Sequence, residues 1–297
     1  MKKILYLIPL CIIVFLLPVS TVMGLEIGTA FHIGNLAFEK ARTSDQTGFD
    51  GTSFPWGIDA FINQDVSSQL DLHTGFYMDP ILKNISYTLF SYQQNFFSIG
   101  VGPFFGLFNS SSSILKPGIS TSIRLDFPGI IFVSFRADSS IGGRLVQTGD
   151  YLQERSDISI GYYVRNAICS VNIKSKKYTA KSSAGELVDS LTSYSFSTDI
   201  FQKNMPYKIL LSFGYQKLTK IFIEGDTTAE HTLGSLVIAN NLDIFINDYL
   251  TVFIDLESSV YSFGSGVLLG ISNPGPGGYL FNASTGVTLN LDAFKKD

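Results

Sequence analysis

Residues 118–127 read GISTSIRLDF, and their side chains alternate between apolar and polar. Successive side chains of a strand point to opposite faces, so Ile119, Ile123 and Leu125 share one face and Arg124 lies on the other. This period of two predicts a β-strand with one apolar and one polar face.

The same alternation continues after a turn at Pro128-Gly129, where Arg136 and Asp138 form the polar face, and the two segments predict a β-hairpin. Similar segments recur along the chain. They are residues 25–36, 55–65, 68–79, 82–93, 96–107, 117–127, 130–140, 150–164, 167–178, 188–202, 207–219, 232–246, 249–263 and 279–292. Fourteen strands are therefore predicted, with twelve or sixteen as alternatives, because residues 167–202 and 207–246 can be divided differently.

The connections between these strands alternate in length. Short turns such as Arg165-Asn166 and Asn247-Asp248 are separated by longer links at 37–54, 108–116, 141–149, 179–187, 220–231 and 264–278. Only the link near Asp79-Pro80 departs from this alternation. Short turns at one end and long loops at the other are typical of transmembrane β-barrels, whose short turns are periplasmic.

A soluble sandwich or soluble barrel also alternates, but its apolar face points inward. Here the apolar faces last about nine to eleven residues, the length that a tilted strand needs to cross a membrane. Aromatic residues also concentrate near the strand ends, as they do at membrane interfaces. We expect an outer group of Trp56, Phe76, Tyr87, Phe105, Tyr215 and Phe281, and a periplasmic group of Phe97, Phe127, Tyr162, Tyr207 and Tyr249. The predicted fold is thus all-β, a transmembrane antiparallel β-barrel.

The first 24 residues have the features of an export signal. Lys2 and Lys3 precede an apolar run, and small residues favour cleavage after Gly24, which leaves a single barrel domain over residues 25–297. An uncleaved membrane helix is disfavoured because the run is short and contains Pro9.

The remaining chain is acidic. Without Lys2 and Lys3 it has 19 Lys and Arg against 25 Asp and Glu, a net charge of −6, and no basic patch. Nucleic acid is therefore not an expected partner. One cysteine, Cys169, remains, so an intramolecular disulfide is excluded.

The segment from Ser284 to Leu291 carries the most specific pattern. A polar residue is followed two positions later by Gly286 and then by apolar residues at alternate positions. This pattern resembles the β-signal of bacterial outer-membrane proteins, which the barrel-assembly machinery recognises. The chain is similar to porin-like outer-membrane barrels, although it ends in Lys295-Lys296-Asp297 instead of the usual aromatic residue. The resemblance implies insertion into the outer-membrane lipid of a bacterium.

The polar faces of the strands would line the interior of such a barrel. The candidate pore-lining residues are Asp59, Asp71, Arg124, Asp126, Arg136, Asp138, Asp243, Asp255 and Glu257. Acidic residues predominate, which predicts a weak preference for cations in a narrow passage. Arg124, Asp126, Arg136 and Asp138 form either a charged constriction with a transverse field or a cross-strand ladder of ion pairs, and the ladder is favoured.

The sequence offers little support for catalysis. Asp71-Leu72-His73 is similar to the Asp-x-His of omptin proteases, but the acidic pair that those enzymes need has no counterpart. We expect His73 to be a hydrogen-bonded residue of the interior, and we expect no cofactor and no metal.

The width of a fourteen-stranded barrel decides between functions. Eight strands leave an interior that side chains fill, and sixteen to eighteen leave an open channel. We therefore expect a narrowed pore for passive diffusion of small hydrophilic solutes. Uptake of hydrophobic solutes is an alternative, based on six phenylalanines predicted to face inward: Phe61, Phe90, Phe104, Phe132, Phe245 and Phe253. An adhesin that acts through loop 37–54 is another.

Overall fold

The computed structural model describes residues 24–34, 56–109, 115–141, 149–201, 205–264 and 281–291. These residues form fourteen strands. They are β1 (Gly24–Gly34), β2 (Trp56–Ser67), β3 (Leu70–Asp79), β4 (Lys83–Gln94), β5 (Phe97–Leu107), β6 (Leu115–Phe127), β7 (Ile131–Ser140), β8 (Asp150–Val164), β9 (Ala167–Ser182), β10 (Gly185–Phe201), β11 (Tyr207–Glu224), β12 (Thr227–Asn247), β13 (Leu250–Gly264) and β14 (Phe281–Asn290). Within these ranges no helix is long and apolar enough to cross a membrane.

The strands form one closed antiparallel barrel. Each strand pairs with its neighbours in the chain, and β1 pairs with β14 from Glu26↔Asn290 to Gly34↔Asn282, which closes the sheet. The predicted count of fourteen and the predicted barrel are confirmed. Both β1 and β14 have their chain ends at the rim that carries the short turns, the periplasmic rim of an outer-membrane barrel.

The outward faces of the strands are apolar. On β5 and β6, Ile99, Val101, Ile119 and Ile123 are each about half exposed, and similar side chains continue around the barrel. Large apolar side chains that cover the whole outside of a closed sheet are stable in lipid and not in water. The barrel therefore has the exterior of a transmembrane barrel, and the soluble alternative is wrong.

Aromatic side chains lie near both edges of this apolar surface. Trp56, Phe76 and Tyr215 are exposed towards the outer edge, and Phe127 and Tyr162 towards the periplasmic edge. The prediction for Tyr87 was wrong, because its side chain points into the barrel and is buried. Tyr87 stands between polar residues on β4, where the alternation of the strand does not distinguish the two faces.

Four strands are longer than the others and extend further at the end of the barrel opposite the short periplasmic turns. β9 to β12 have 16, 17, 18 and 21 residues, whereas β1 to β7 have between 10 and 13. Their outer parts, residues 175–182, 185–193, 216–224 and 227–235, form what we call the raised wall. Several of its outward side chains are polar, as at Lys177, Lys217 and Thr232, although Val188, Ile221 and Ile223 also point outward, so the continuous apolar surface ends there.

The prediction of long loops at 179–187 and 220–231 was wrong, because these segments form the raised wall. Both segments are mostly strand, and each ends in a tight turn. Beyond the membrane a strand needs no apolar outward face, so the alternation that identified the other strands is absent. Gly225, with φ of 57°, provides the left-handed residue of the β11–β12 turn.

Candidate channel interior

The inward face of each strand is identified by contacts between strands that are not neighbours, since only the interior allows such contacts. Arg136 on β7 donates to the Tyr87 hydroxyl on β4 at 3.1 Å, for example. By this criterion and by alternation along the paired strands, the nine candidate residues all lie on the inward face. They are Asp59, Asp71, Arg124, Asp126, Arg136, Asp138, Asp243, Asp255 and Glu257.

The short link between β3 and β4 does not turn back at the rim. Residues 79–83, which we call the crossing turn, extend across the interior to the opposite side of the barrel. Ile81 is buried there against Leu218 on β11 and Leu233 on β12, with Leu191 beside them. Leu82 packs instead on the β4 and β5 side, against Ile85, Phe104 and their neighbours.

Polar contacts hold the crossing turn at both ends. Asp79 pairs with Lys176 of β9, and its carboxylate also accepts from the backbone N–H groups of Ile81 and Leu82 at 2.8 Å. Lys83 pairs with the buried Asp189 of β10 at 3.3 Å. Lys83 also has a left-handed backbone, with φ of 63°, which the turn requires.

The raised wall provides the surface that receives the crossing turn. Lys176, Asp189 and Leu218, which contact it, all lie in the outer parts of β9, β10 and β11. Gln153 of β8 is fully buried beside them and donates to the carbonyl of Leu82 at 2.5 Å. The extra length of these strands is therefore used to hold a constriction.

Three Arg-x-Asp pairs line the adjoining part of the interior. On β6, β7 and β8 an arginine pairs with the aspartate two residues further along the same strand: Arg124–Asp126 at 2.7 Å, Arg136–Asp138 at 3.3 Å, and Arg155–Asp157. We call these six residues the arginine ladder. The prediction of a cross-strand ladder is corrected in part, since only Arg155–Asp138, at 3.9 Å, joins two strands. Residues i and i+2 share a face about 7 Å apart, which a guanidinium spans easily.

A hydrogen-bonded network fills the interior between β2 and β7. The guanidinium of Arg136 lies 4.0 Å from the centre of the Tyr87 ring. The hydroxyls of Tyr87 and Tyr77 each contact Nε2 of His73, at 3.0 and 2.9 Å, and Nδ1 of His73 contacts Asn63. Both nitrogens of His73 are thus engaged with polar neighbours in the barrel interior. Sequence reasoning missed this network because it placed Tyr87 at the rim.

The phenylalanines predicted to face inward do not form an apolar path. Phe90 lies on the outside with 56% of its side chain exposed, so that prediction was wrong, and its neighbours Ser86 and Thr88 on the outward face explain the misreading. Phe61 and Phe132 lie directly over the interior glycines Gly28 and Gly161. Phe104 is fully buried in the packing around Leu82. The remaining two, Phe245 and Phe253, lie on the inward face near the periplasmic end.

A cavity of about 800 Å³ remains on the other side of the crossing turn. Its walls are β1, β2, β13 and β14, the turn itself, and parts of β8 to β11. On β14 the small inward residue Ser284 lines this cavity. Among the described residues, side chains therefore fill the interior on the β3 to β8 side, and the cavity lies on the β13 to β2 side.

The open side carries acidic groups with few cationic partners. Asp255 accepts hydrogen bonds from Ser284, at 2.7 Å, and from Asn241, both neutral. Among the described residues, Asp243, Asp255 and Glu257 take part in no salt bridge. Asp59 faces His32 at 3.6 Å. Apart from the contact of Asp59 with His32, these acidic groups have no salt-bridge partner among the described residues.

Asp79, Lys83, Lys176 and Asp189 were not among the predicted site residues. The signal that could have found them was the short link at Asp79-Pro80, placed where the alternation of connections required a long loop. In the part of the chain that the structure describes, no cluster of His, Cys, Asp or Glu is suited to hold a metal ion.

No protein-family model matches the sequence, and no curated protein matches it. Solved structures with a similar fold include an outer-membrane channel from Pseudomonas putida F1, with 7% identity, a TM-score of 0.47, and coverage of 92% of this chain and 98% of that one. In vitro folded OmpT, an outer-membrane protein of Vibrio cholerae, has 11% identity, a TM-score of 0.44, and coverage of 91% and 97%. An anion-selective porin from Comamonas acidovorans has 12% identity, a TM-score of 0.39, and coverage of 91% and 99%.

Proposed function

We propose that this chain is a bacterial outer-membrane channel for the passive diffusion of small hydrophilic solutes and ions, with a weak preference for cations. The observation that carries the proposal is the cavity beside the crossing turn, lined by charged and polar side chains inside a barrel with an apolar exterior. Water and small polar solutes are stable in such an interior, whereas lipid is stable outside.

The crossing turn would set the size limit of this channel. It extends into the interior, and the cavity beside β13, β14, β1 and β2 would be the passage. A fourteen-stranded barrel is wide enough to need such a restriction if it is to discriminate between small solutes. Asp79, Ile81 and Lys83 are the residues that hold the restriction in place.

The acidic side of the passage accounts for the proposed cation preference. Asp255 and Glu257 face the cavity, and the apolar wall behind them keeps the local dielectric low. A narrow passage with such walls focuses the field of its charges, so cations are concentrated and anions depleted.

The experiment is planar-bilayer recording of the refolded protein in a KCl gradient. We expect discrete conductance steps and a reversal potential that favours K⁺. The double variant Asp255→Asn with Glu257→Gln is expected to move the reversal potential towards zero. Glu154→Gln, an exposed acid on the outward face of β8, is the matched control and is expected to leave it unchanged. A protein that gives no conductance steps would contradict the proposal.

The arginine ladder can be tested in the same recordings. Arg124→Ala with Arg136→Ala removes two of its three cations. If conductance and ion selectivity stay unchanged, these arginines organise the interior and do not constrict the passage.

Liposome swelling distinguishes the proposal from uptake of hydrophobic solutes. Swelling with sugars is expected for a diffusion channel. Fatty-acid uptake without sugar swelling would instead support a hydrophobic-solute barrel. An adhesin role would depend on loop 37–54, which lies outside the described residues.

Export and assembly complete the proposal. Residues 1–24 would direct secretion and be removed; of these, only Gly24 lies within the described range. All residues of the segment Ser284 to Leu291 except Leu291 lie in β14, and this segment would be the part that the barrel-assembly machinery recognises.

A further inference from the structure

The cavity beside the crossing turn has opposite charges on its two sides. Asp59, Asp255 and Glu257 lie on the side formed by β2 and β13. On the facing side the lining cations outnumber the lining acids, with Lys83, Arg155, Lys176 and Lys220 against Asp79 and Asp189. Because the walls have a low dielectric, this separation of charge produces a field directed across the passage.

The two charged sides face each other across the interior. Lys174 and Lys176 on β9 interact electrostatically with Glu257 on β13. Three strands lie between β9 and β13 in the sheet, so the interaction crosses the interior. A solute in the cavity is therefore close to both charged sides at once.

The two sides differ in how far their charges are already neutralised. Asp255 has only neutral donors, Ser284 and Asn241, and among the described residues Glu257 is in no salt bridge. Asn282, paired with Glu257 on β14, is also neutral. The acidic side can therefore still bind an ammonium group.

We propose that the cavity favours zwitterionic solutes of amino-acid size over neutral solutes of the same size. The inference rests on the proposed channel function, since it concerns what passes through that channel. The ammonium group of the solute would lie towards Asp255 and Glu257, and its carboxylate towards Arg155 and Lys176. A neutral sugar can form hydrogen bonds in the same place, but it has no separated charges that the field could stabilise. The cavity volume of about 800 Å³ is in the range of about 300–1,000 Å³ that is usual for small-molecule sites.

The test compares two solutes in the same liposomes. L-glutamine is a zwitterion, and arabinose is neutral and has the same number of heavy atoms. The ratio of their swelling rates does not depend on how much protein has inserted. We expect glutamine to enter about fivefold faster relative to its diffusion in water, the ratio that corresponds to about 1 kcal/mol.

The variants separate a field effect from a change in pore shape. Glu257→Gln, which is nearly isosteric, is expected to bring the ratio close to that of free diffusion while arabinose still enters. Exchanging the charges by Glu257→Lys with Lys174→Glu keeps the net charge of the interior but weakens the field, because Asp59, Asp255 and Lys176 keep their charges, and it is expected to lower the ratio as well. Glu154→Gln on the outward face is expected to keep the native ratio.

The outcomes distinguish this inference from the proposed function. If neither solute enters liposomes with the native protein, the channel function itself is wrong. If arabinose enters and glutamine has no advantage, the channel function stands and the zwitterion preference is wrong. The preference is also wrong if Glu257→Gln leaves the glutamine advantage intact.

Discussion

Arg124 and Arg136 each pair with the aspartate two residues further along the strand, but the two pairs differ in how deeply they are buried. The carboxylate of Asp138 is fully buried, and Ser120 and two arginines surround it. Asp126 is more than a quarter exposed, and the Arg124 side chain is 42% exposed. Water can replace a lost partner at Asp126 but not at Asp138.

The two arginines should therefore differ in their contribution to stability. Arg136→Met is expected to lower the free energy of unfolding by about 3 kcal/mol, because it leaves a buried carboxylate with one distant arginine. Arg124→Met, its matched control, is expected to cost about 1 kcal/mol or less. Urea unfolding of the protein folded in vesicles measures both. Equal losses would mean that burial of Asp138 does not determine the energetics of the ladder.

At this scale the sequence predicted which residues face inward but not what they contact. Alternation placed Asp138, Asp255 and Glu257 on the inward face. It could not pair Arg136 with Tyr87, because that contact joins β7 and β4, which are separated by two other strands in the chain. Tyr87 itself was misplaced, since an amphipathic ring suits both a membrane interface and a polar interior.

Among the connections that the structure describes, the crossing turn differs from the others because both of its ends are held by ion pairs. Its apolar tip, Ile81, is buried at the far wall. It is short, so it has little conformational freedom to move away from that wall once Asp79 and Lys83 are paired.

Shortening the crossing turn is expected to enlarge the channel. Replacing Pro80-Ile81-Leu82 by Asn-Gly gives a two-residue hairpin that ends near the wall. Single-channel conductance is expected to rise at least about twofold, because the pathway widens where it is narrowest. Ile81→Ser, which keeps the length, tests the apolar contact alone and is expected to increase conductance fluctuations.

The control for that change is a tight turn outside the interior. Ser183→Asn with Ala184→Gly alters the β9–β10 turn at the tip of the raised wall and is expected to leave conductance unchanged. If the Asn-Gly variant conducts like the native protein, the crossing turn does not limit the channel.

The junction of β1 and β14 depends on Gly286. A Cβ atom there would meet the ring of Phe253 and the carbonyl of Thr29. Gly286→Val is expected to cost about 1–3 kcal/mol through overpacking and to reduce the yield of folded barrel. Ala283→Val, on the outward face of the same strand, is the control and should fold normally. Heat-modifiable migration on a gel, which distinguishes folded from unfolded barrels, provides the measurement.

The strands inside the apolar zone were predicted to within a few residues, because each needs an apolar outward face there. β9 to β12 were predicted too short, since polar residues such as Lys177, Lys217 and Thr232 interrupt the apolar outward face of their outer parts. The short link at Asp79-Pro80 marked the crossing turn, but its contacts could not be predicted, because Ile81 acquires its partners Leu218 and Leu233 only when the barrel closes.

For the whole molecule, the apolar exterior determines where the barrel lies in the membrane. Val101 is 57% exposed at the middle of β5, within the apolar surface. Thr232 lies on the raised wall, where it donates to Glu230 at 3.3 Å. The two positions should respond differently to a charge.

Val101→Arg is expected to destabilise the folded barrel in vesicles by about 2–4 kcal/mol, whereas Thr232→Arg is expected to cost about 0–1 kcal/mol. Chemical unfolding of both variants in the same lipid checks this difference. Equal costs would place the membrane boundary somewhere other than the lower edge of the raised wall.

The contact between the crossing turn and the raised wall has a consequence for evolution. In a chain whose β9–β12 hairpins ended at the membrane surface, an apolar residue at position 81 would have no wall to meet and would be exposed to water. Selection therefore acts on the two segments jointly. Among related genomes, deletions in residues 175–235 are expected to accompany loss of the apolar residue and of the paired charges in residues 79–83.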